Sequence, residues 1–268
     1  MTATVTARRA ARSDAMALLA RWGLAARATL YLLIGILAVA LAAGSRRGET
    51  DQRGAFEELT RHTGGTLLLW VIAIGLAGYA LWRLSEAAFG VVGEGKKAGP
   101  RAQSLARAII YGFFAVSAFK IVTHAGTSSQ AGQQELWTAK AMQHQSGRWA
   151  VGIVGAVIVI CGLYLVWEGF TRKFKKYLTL DRMSPKTHKV VEFLGVTGTA
   201  SRGVVLTLAG IFVIAAAVQY DPKKAGGLDR ALRELADTPA GPWVLGVVAI
   251  GVVMFGIYGF AEAKWRRT

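Results

Sequence analysis

Ala26-Arg27-Ala28-Thr29-Leu30-Tyr31 opens an uncharged run that continues to Gly44. The same opening returns as Ala106-Arg107-Ala108-Ile109-Ile110-Tyr111 and as Ser201-Arg202-Gly203-Val204-Val205-Leu206, with the arginines 80 and 95 residues apart. A second run follows each opening and closes on a late tyrosine. These closings read Gly78-Tyr79-Ala80-Leu81-Trp82-Arg83-Leu84-Ser85-Glu86, Leu163-Tyr164-Leu165-Val166-Trp167-Glu168 and Ile257-Tyr258-Gly259-Phe260-Ala261-Glu262. Their tyrosines stand 85 and 94 residues apart, so both sets report one repeat, present three times.

The three copies contain six apolar runs: Ala28–Gly44, Gly64–Trp82, Ala108–Thr123, Trp149–Trp167, Gly203–Gln219 and Trp243–Ala261. Five are free of charge and span 17 to 19 residues; the third carries only Lys120. At ~1.5 Å per residue they reach roughly 26–29 Å, close to a hydrocarbon core of ~30 Å. Six such runs, each flanked by basic residues, point to a membrane protein rather than a soluble helical one. The first run is too long for a signal-peptide core and its pattern recurs twice, so it reads as the first transmembrane helix.

Charge gives the topology. The chain is 53% hydrophobic with a formal net charge of +16. Of its 32 Lys and Arg, 21 fall in residues 1–27, 83–107, 168–202 and 262–268, and 10 in the alternate loops. The positive-inside bias then puts both termini in the cytoplasm, in a multi-pass protein of the bacterial inner (plasma) membrane. Seven acids share the 21-base side, leaving +14 there to attract anionic lipid headgroups. Membrane lipids are thus the expected partners, with a membrane protein as a further candidate.

Two crossings return the chain to its starting side, so the copies share one orientation. The expected fold is all-α: six transmembrane helices as three tandem two-helix repeats, pseudo-threefold about the membrane normal. Residues 1–19 read as a basic tail, 20–90, 100–172 and 195–265 as the repeats of one membrane domain, and 173–194 as a basic cytoplasmic linker. Ala55–Leu59, Leu136–Met142 and Ala231–Leu235 read as short amphipathic helices on the outer surface. Glycines cluster in the second helix of each repeat, which would place those helices nearer the axis.

The Arg-x-x-x-Tyr start, the amphipathic loop, the Gly opening the second helix and the Tyr-x-x-Trp near its end resemble a family of three-repeat bacterial membrane proteins, domain of unknown function 1206. The resemblance covers roughly residues 20–265. It implies a six-helix inner-membrane protein and no activity. Repeat three departs from the pattern at Leu206 and Ala261.

Arg27, Arg107 and Arg202 begin the first helices, and Glu86, Glu168 and Glu262 end the second helices on the same side. As ion pairs they would clamp hairpins or join repeats; as a converging ring they would bind an anion such as phosphate or a lipid headgroup. Arg83 has no counterpart, because Glu168 and Glu262 occupy its aligned positions; it would offset an acid of a neighbouring repeat. Lys120, with His124 one turn later, is an intramembrane candidate, against snorkelling to the nearby interface. Arg172, Lys173, Lys175 and Lys176 follow the fourth helix. There they read as lipid-headgroup contacts rather than a nucleic-acid surface. The single Cys161 forms no disulfide within the chain and reads as a buried packing residue.

The four histidines have no metal-ligand spacing, and Gly93-Glu94-Gly95-Lys96-Lys97 lacks the Ser/Thr of a phosphate loop. No metal, no cofactor and no enzyme activity are expected. Two functional readings stay open. One is a structural or accessory protein that interacts with lipid or a membrane complex. The other is a small-solute or ion channel or carrier along the threefold axis, disfavoured by the absence of intramembrane Pro and the few polar groups.

Overall fold

The computed structural model describes residues 14–45, 49–92, 94–95, 97–123, 130–219, 221 and 227–267. The six runs form α1 (Asp14–Ala42), α3 (Gly65–Phe89), α4 (Ala98–Val122), α6 (Gln145–Phe170), α7 (Pro185–Gln219) and α9 (Gly241–Trp265), all long and apolar enough to cross a membrane. The short loop helices are α2 (Gln52–Thr60), α5 (Gln130–Met142) and α8 (Gly227–Ala236). Two 3-10 turns, Lys173–Tyr177 and Leu180–Arg182, lead into α7.

The glycine that opens each second helix has a steric cause. A Cβ on Gly65, Gly147 or Gly241 would stand 1.7, 1.7 or 2.0 Å from the carbonyl oxygen of Leu59, Ala141 or Leu235. The loop helix therefore seats directly on the start of the next long helix in all three repeats. Trp149 and Trp243, in the first turns of α6 and α9, are exposed. Amphipathic indoles at that level fit a membrane–water interface.

The second helix of each repeat packs against the first helix of the next: α3 on α4, α6 on α7, and α9 on α1. Within repeats one and three the hairpin also closes, α1 on α3 and α7 on α9. Within repeat two it does not: α4 and α6 do not pack along their length. The core lies among α1, α3, α4 and α9, and Phe56, Leu59 and Leu232 of the loop helices plug one end of it.

The sequence explains the open hairpin. Four residues before the repeat arginine stand Gly23, Gln103 and Gly198. A Cβ on Gly23 would lie 2.7 Å from the Tyr79 backbone, and one on Gly198 would lie 2.6 Å from that of Phe255. Both closed hairpins depend on this approach, and Gln103 precludes it. The partner helix agrees. Seven and four residues before the late tyrosine, repeat one has Ile72 and Gly75, repeat three Gly251 and Met254, and repeat two Val157 and Ile160. Ile72 is 1% exposed, whereas Val157 is 54% exposed.

Two expectations are corrected. Glycine content does not mark the centre, since α6 is the least buried of the six long helices; its Gly155 and Gly162 meet the α7 backbone at Ile214 and Thr207. Cys161 is exposed, not buried, because α6 is covered only along that narrow glycine stripe.

Candidate functional site

Arg27, Arg107 and Arg202 stand 15, 15 and 17 residues from Ala42, Val122 and Gln219, the far ends of their helices. That is about 22–26 Å along the axis, near the far boundary of a ~30 Å hydrocarbon core. At this level the three arginines line one half-open cavity of about 40 Å³. Arg266, Glu168 and Glu262 line it too, so four guanidinium groups face two carboxylates. Phe174 and Tyr177 of the linker and Tyr258 of α9 form part of its wall.

The three arginines are not equivalent. Arg27 pairs with Glu262, joining repeats one and three, and donates to the Tyr79 hydroxyl at 3.3 Å. It also lies over the Tyr79 and Phe255 rings, 5.6 and 5.4 Å from their centroids. Arg266 holds the other oxygen of Glu262 at 2.5 Å, so one buried carboxylate serves two arginines. Repeat arithmetic asks Arg202 to pair with Glu168 in the same way, and Arg107 to pair with the residue aligned to Glu262 in repeat one, which is Arg83. Neither pair forms. Among the described residues, Arg107, Arg202 and Glu168 have no opposite charge within 4.0 Å. Arg202 stacks over Tyr31 and Phe255, 5.2 and 5.0 Å from the centroids. The charged side chains acting most strongly on Arg107 are Arg83, Arg202 and Arg266, all of its own sign.

Two buried polar atoms in the cavity wall also lack a hydrogen-bond partner among the described residues: Arg27 Nε and the Tyr258 hydroxyl. Unpaired charge and unpaired polar groups at low dielectric are costly unless a ligand or water answers them. On the core side, Tyr31 and Tyr111 meet hydroxyl to hydroxyl at 3.3 Å, and Tyr79 packs edge-on to Tyr111 at 4.7 Å. This aromatic layer separates the cavity from the apolar core.

Glu86 does not reach the cavity. It accepts from Arg83 at 2.7 Å and from the Ser104 hydroxyl of repeat two at 3.0 Å. The acid partner of Arg83 is therefore on its own helix, three residues on, and not in a neighbouring repeat. Arg83 also donates to the Tyr79 hydroxyl at 2.9 Å. Arg266 and Tyr258 escaped the sequence reading. The available signal was the i, i+4 spacing of Arg266 from Glu262 on one helix face.

Lys120 is exposed in the last turn of α4, where a cation meets the carbonyl end of the helix dipole. His124 lies outside the described residues. In the basic linker, Arg172 and Lys175 pair with Glu192 at 2.9 and 2.7 Å, and Lys176 pairs with Glu94 at 2.6 Å. Lys173 lies 3.6 Å from the Trp167 ring centroid. The Glu94 hydrogen bond raises the Lys176 pKa, and Lys176 and Lys97 hold Glu94 below the usual carboxylate value. Phe174 packs on Tyr258, and Thr179 donates its amide to the Trp265 carbonyl at 2.8 Å. The linker is thereby fastened over the arginine end. No group of three metal-ligating side chains occurs among the described residues.

Fold and site define a class: a three-repeat bundle of six membrane-length helices with an arginine-lined cavity at one end. The chain belongs to the family described as Domain of Unknown Function (DUF1206), which matches residues 22–90, 102–172 and 197–266. It is 30% identical over 249 residues to the Uncharacterized protein YxxB of Bacillus subtilis (strain 168), covering 92% of this chain and 90% of that one. No solved structure matches.

Proposed function

We propose that this is a non-enzymatic binding protein of the bacterial plasma membrane that holds a phosphate-class anion in the arginine cavity. Both termini lie in the cytoplasm, the repeats surround a pseudo-threefold axis opened at repeat two, and the cavity faces the inner leaflet. The observation that carries this reading is the convergence of Arg27, Arg107 and Arg202 on one cavity, where Arg107 and Arg202 have no carboxylate partner among the described residues. Planar guanidinium groups with free donors match tetrahedral oxyanions bidentately. Positive-inside charge supports the orientation.

The accessory role is favoured over a channel because the rest of the axis is filled. Beyond the tyrosine layer Leu30, Ile34, Leu69, Ile72, Leu76 and Leu245 are buried and packed together. The test is calorimetric titration of the detergent-purified chain with inorganic phosphate. Binding that weakens about tenfold, or ~1.4 kcal/mol, in both Arg107→Gln and Arg202→Gln is the expected result. Unchanged binding in both variants, or specific solute flux in liposomes, refutes it.

A further inference from the structure

We infer that the cleft between α4 and α6 is a lateral entrance for one anionic glycerophospholipid. Its phosphate occupies the arginine cavity and an acyl chain lies along the cleft. The inference rests on the anion-binding reading and adds the source of the anion.

Three observations carry it. First, α4 and α6 both line the cavity, through Arg107 and through Leu165 and Glu168, yet they do not pack against each other. The unpacked gap between them therefore runs up to the cavity wall. Second, the gap is apolar above the arginines. The positions aligned with Ala26, Leu30, Ile72 and Gly75 of the closed first hairpin are Ala106 and Ile110 of α4 and Val157 and Ile160 of α6, all apolar and all exposed. Ile110 is 49% exposed, while its counterparts Leu30 and Val205 are 0% and 6% exposed because their hairpins are closed. An apolar slot opening onto hydrocarbon suits an acyl chain, not a hydrated ion. Third, charge is complementary at one end only. The arginine level is the headgroup side of the slot, and the cavity carries two more positive than negative side chains. Phosphate in a lipid headgroup supplies the charge, and the lining residues Tyr258 and Arg27 hold buried donors, the hydroxyl and Nε, with no partner among the described residues.

A soluble phosphate would satisfy the arginines and leave the cleft without a role. A partner helix would fill the cleft but has no reason to bring an anion to its arginine end. The lipid answers both.

The experiment uses the full chain purified from membranes in mild detergent. Native mass spectrometry counts retained phospholipid, and titration with inorganic phosphate reads the cavity alone. One phosphatidylglycerol should be retained per chain, about tenfold in preference to phosphatidylethanolamine. Arg107→Gln should lower both lipid retention and phosphate binding about tenfold. The double variant Ile110→Trp, Val157→Trp fills the cleft without touching an arginine. It should lose the lipid and keep phosphate binding within about twofold. If that pair does not fold, Ile110→Phe with Val157→Phe takes its place. Lipid retention unchanged by the filled cleft overturns the entrance and leaves the anion reading standing. So does a wild type that binds phosphate but carries no lipid, or a retained polypeptide in its place. Phosphate binding unchanged in Arg107→Gln overturns the anion reading and the lipid inference with it.

Discussion

Repeat two and the pair formed by repeats one and three are built from one motif and packed in two ways. In repeats one and three a glycine four residues before the arginine lets the hairpin close; in repeat two Gln103 stands there and the hairpin stays open. At the arginine end Arg27 and Glu262 lock repeat one to repeat three. At the opposite end the Thr50 amide donates to Asp229 at 2.7 Å, locking the same two repeats again. Arg107 of repeat two has no such lock. A sequence motif present three times has thus diverged into a clamped pair and one repeat whose hairpin stays open.

The largest expected contrast lies between these two kinds of arginine contact. Glu262→Gln strands Arg27 and Arg266 in a buried site, and breaking a buried pair costs about 3–5 kcal/mol. Arg107→Gln removes a charge crowded by like charges, and its cost to folding is expected to stay under about 1 kcal/mol. Unfolding in detergent measures both. Equal losses would erase the distinction between the clamped repeats and the open one.

The clamp at the opposite end should reveal itself through pH. Burial raises the Asp51 carboxyl to about 7, aided by Glu49 and Asp229 and opposed by the Gly54 amide that it caps at 3.0 Å. The folded chain then holds a proton that the unfolded chain releases from about pH 4 upward. This contribution is fully present below about pH 4, declines as pH rises to 7, and is lost above it. The span is about 4 kcal/mol from the size of the shift. Asp51→Asn keeps a capping acceptor and should flatten melting temperature against pH between 4 and 7. A slope identical to wild type would separate Asp51 from the coupling of α2 to α8.

A third test acts on the hairpins directly. Gly198→Leu forces a side chain into the Phe255 backbone, and overpacking of this kind costs about 1–3 kcal/mol. Gln103→Leu, at the aligned position in the open repeat, should change stability by no more than about 0.5 kcal/mol. A comparable loss from Gln103→Leu would mean that repeat two is closed in the membrane.

The architecture was legible because hydropathy and charge act over whole segments. Six runs, three arginines in register and the loop helices were all open to reading. The arginine cavity was half legible: residue order put the arginines at one depth, but pairing depends on side-chain direction. Arg202 stacks on Tyr31 and Phe255 instead of reaching Glu168, and no spacing rule predicts that. The open hairpin was written in the sequence as Gln103 aligned with Gly23 and Gly198. Glycine content per helix hides this difference, because it lies in one position and not in the total. Cys161 was misplaced for the related reason that an apolar run does not tell a lipid-facing side from a protein-facing one.

The smallest expected effect belongs to the loop helices. Leu232 of α8 is 2% exposed and plugs the core, whereas Trp137 of α5 is 70% exposed. Trp137→Ala should therefore leave the unfolding free energy within about 0.5 kcal/mol of wild type, since it removes no packed volume. Leu232→Ala opens a cavity in a closed core and should cost about 2–5 kcal/mol. The ratio matters more than either value. A Trp137→Ala loss approaching that of Leu232→Ala would mean that the indole is covered in the membrane. The open face of repeat two would then be occupied at its outer end as well, and the entrance to the cavity would be confined to the arginine end.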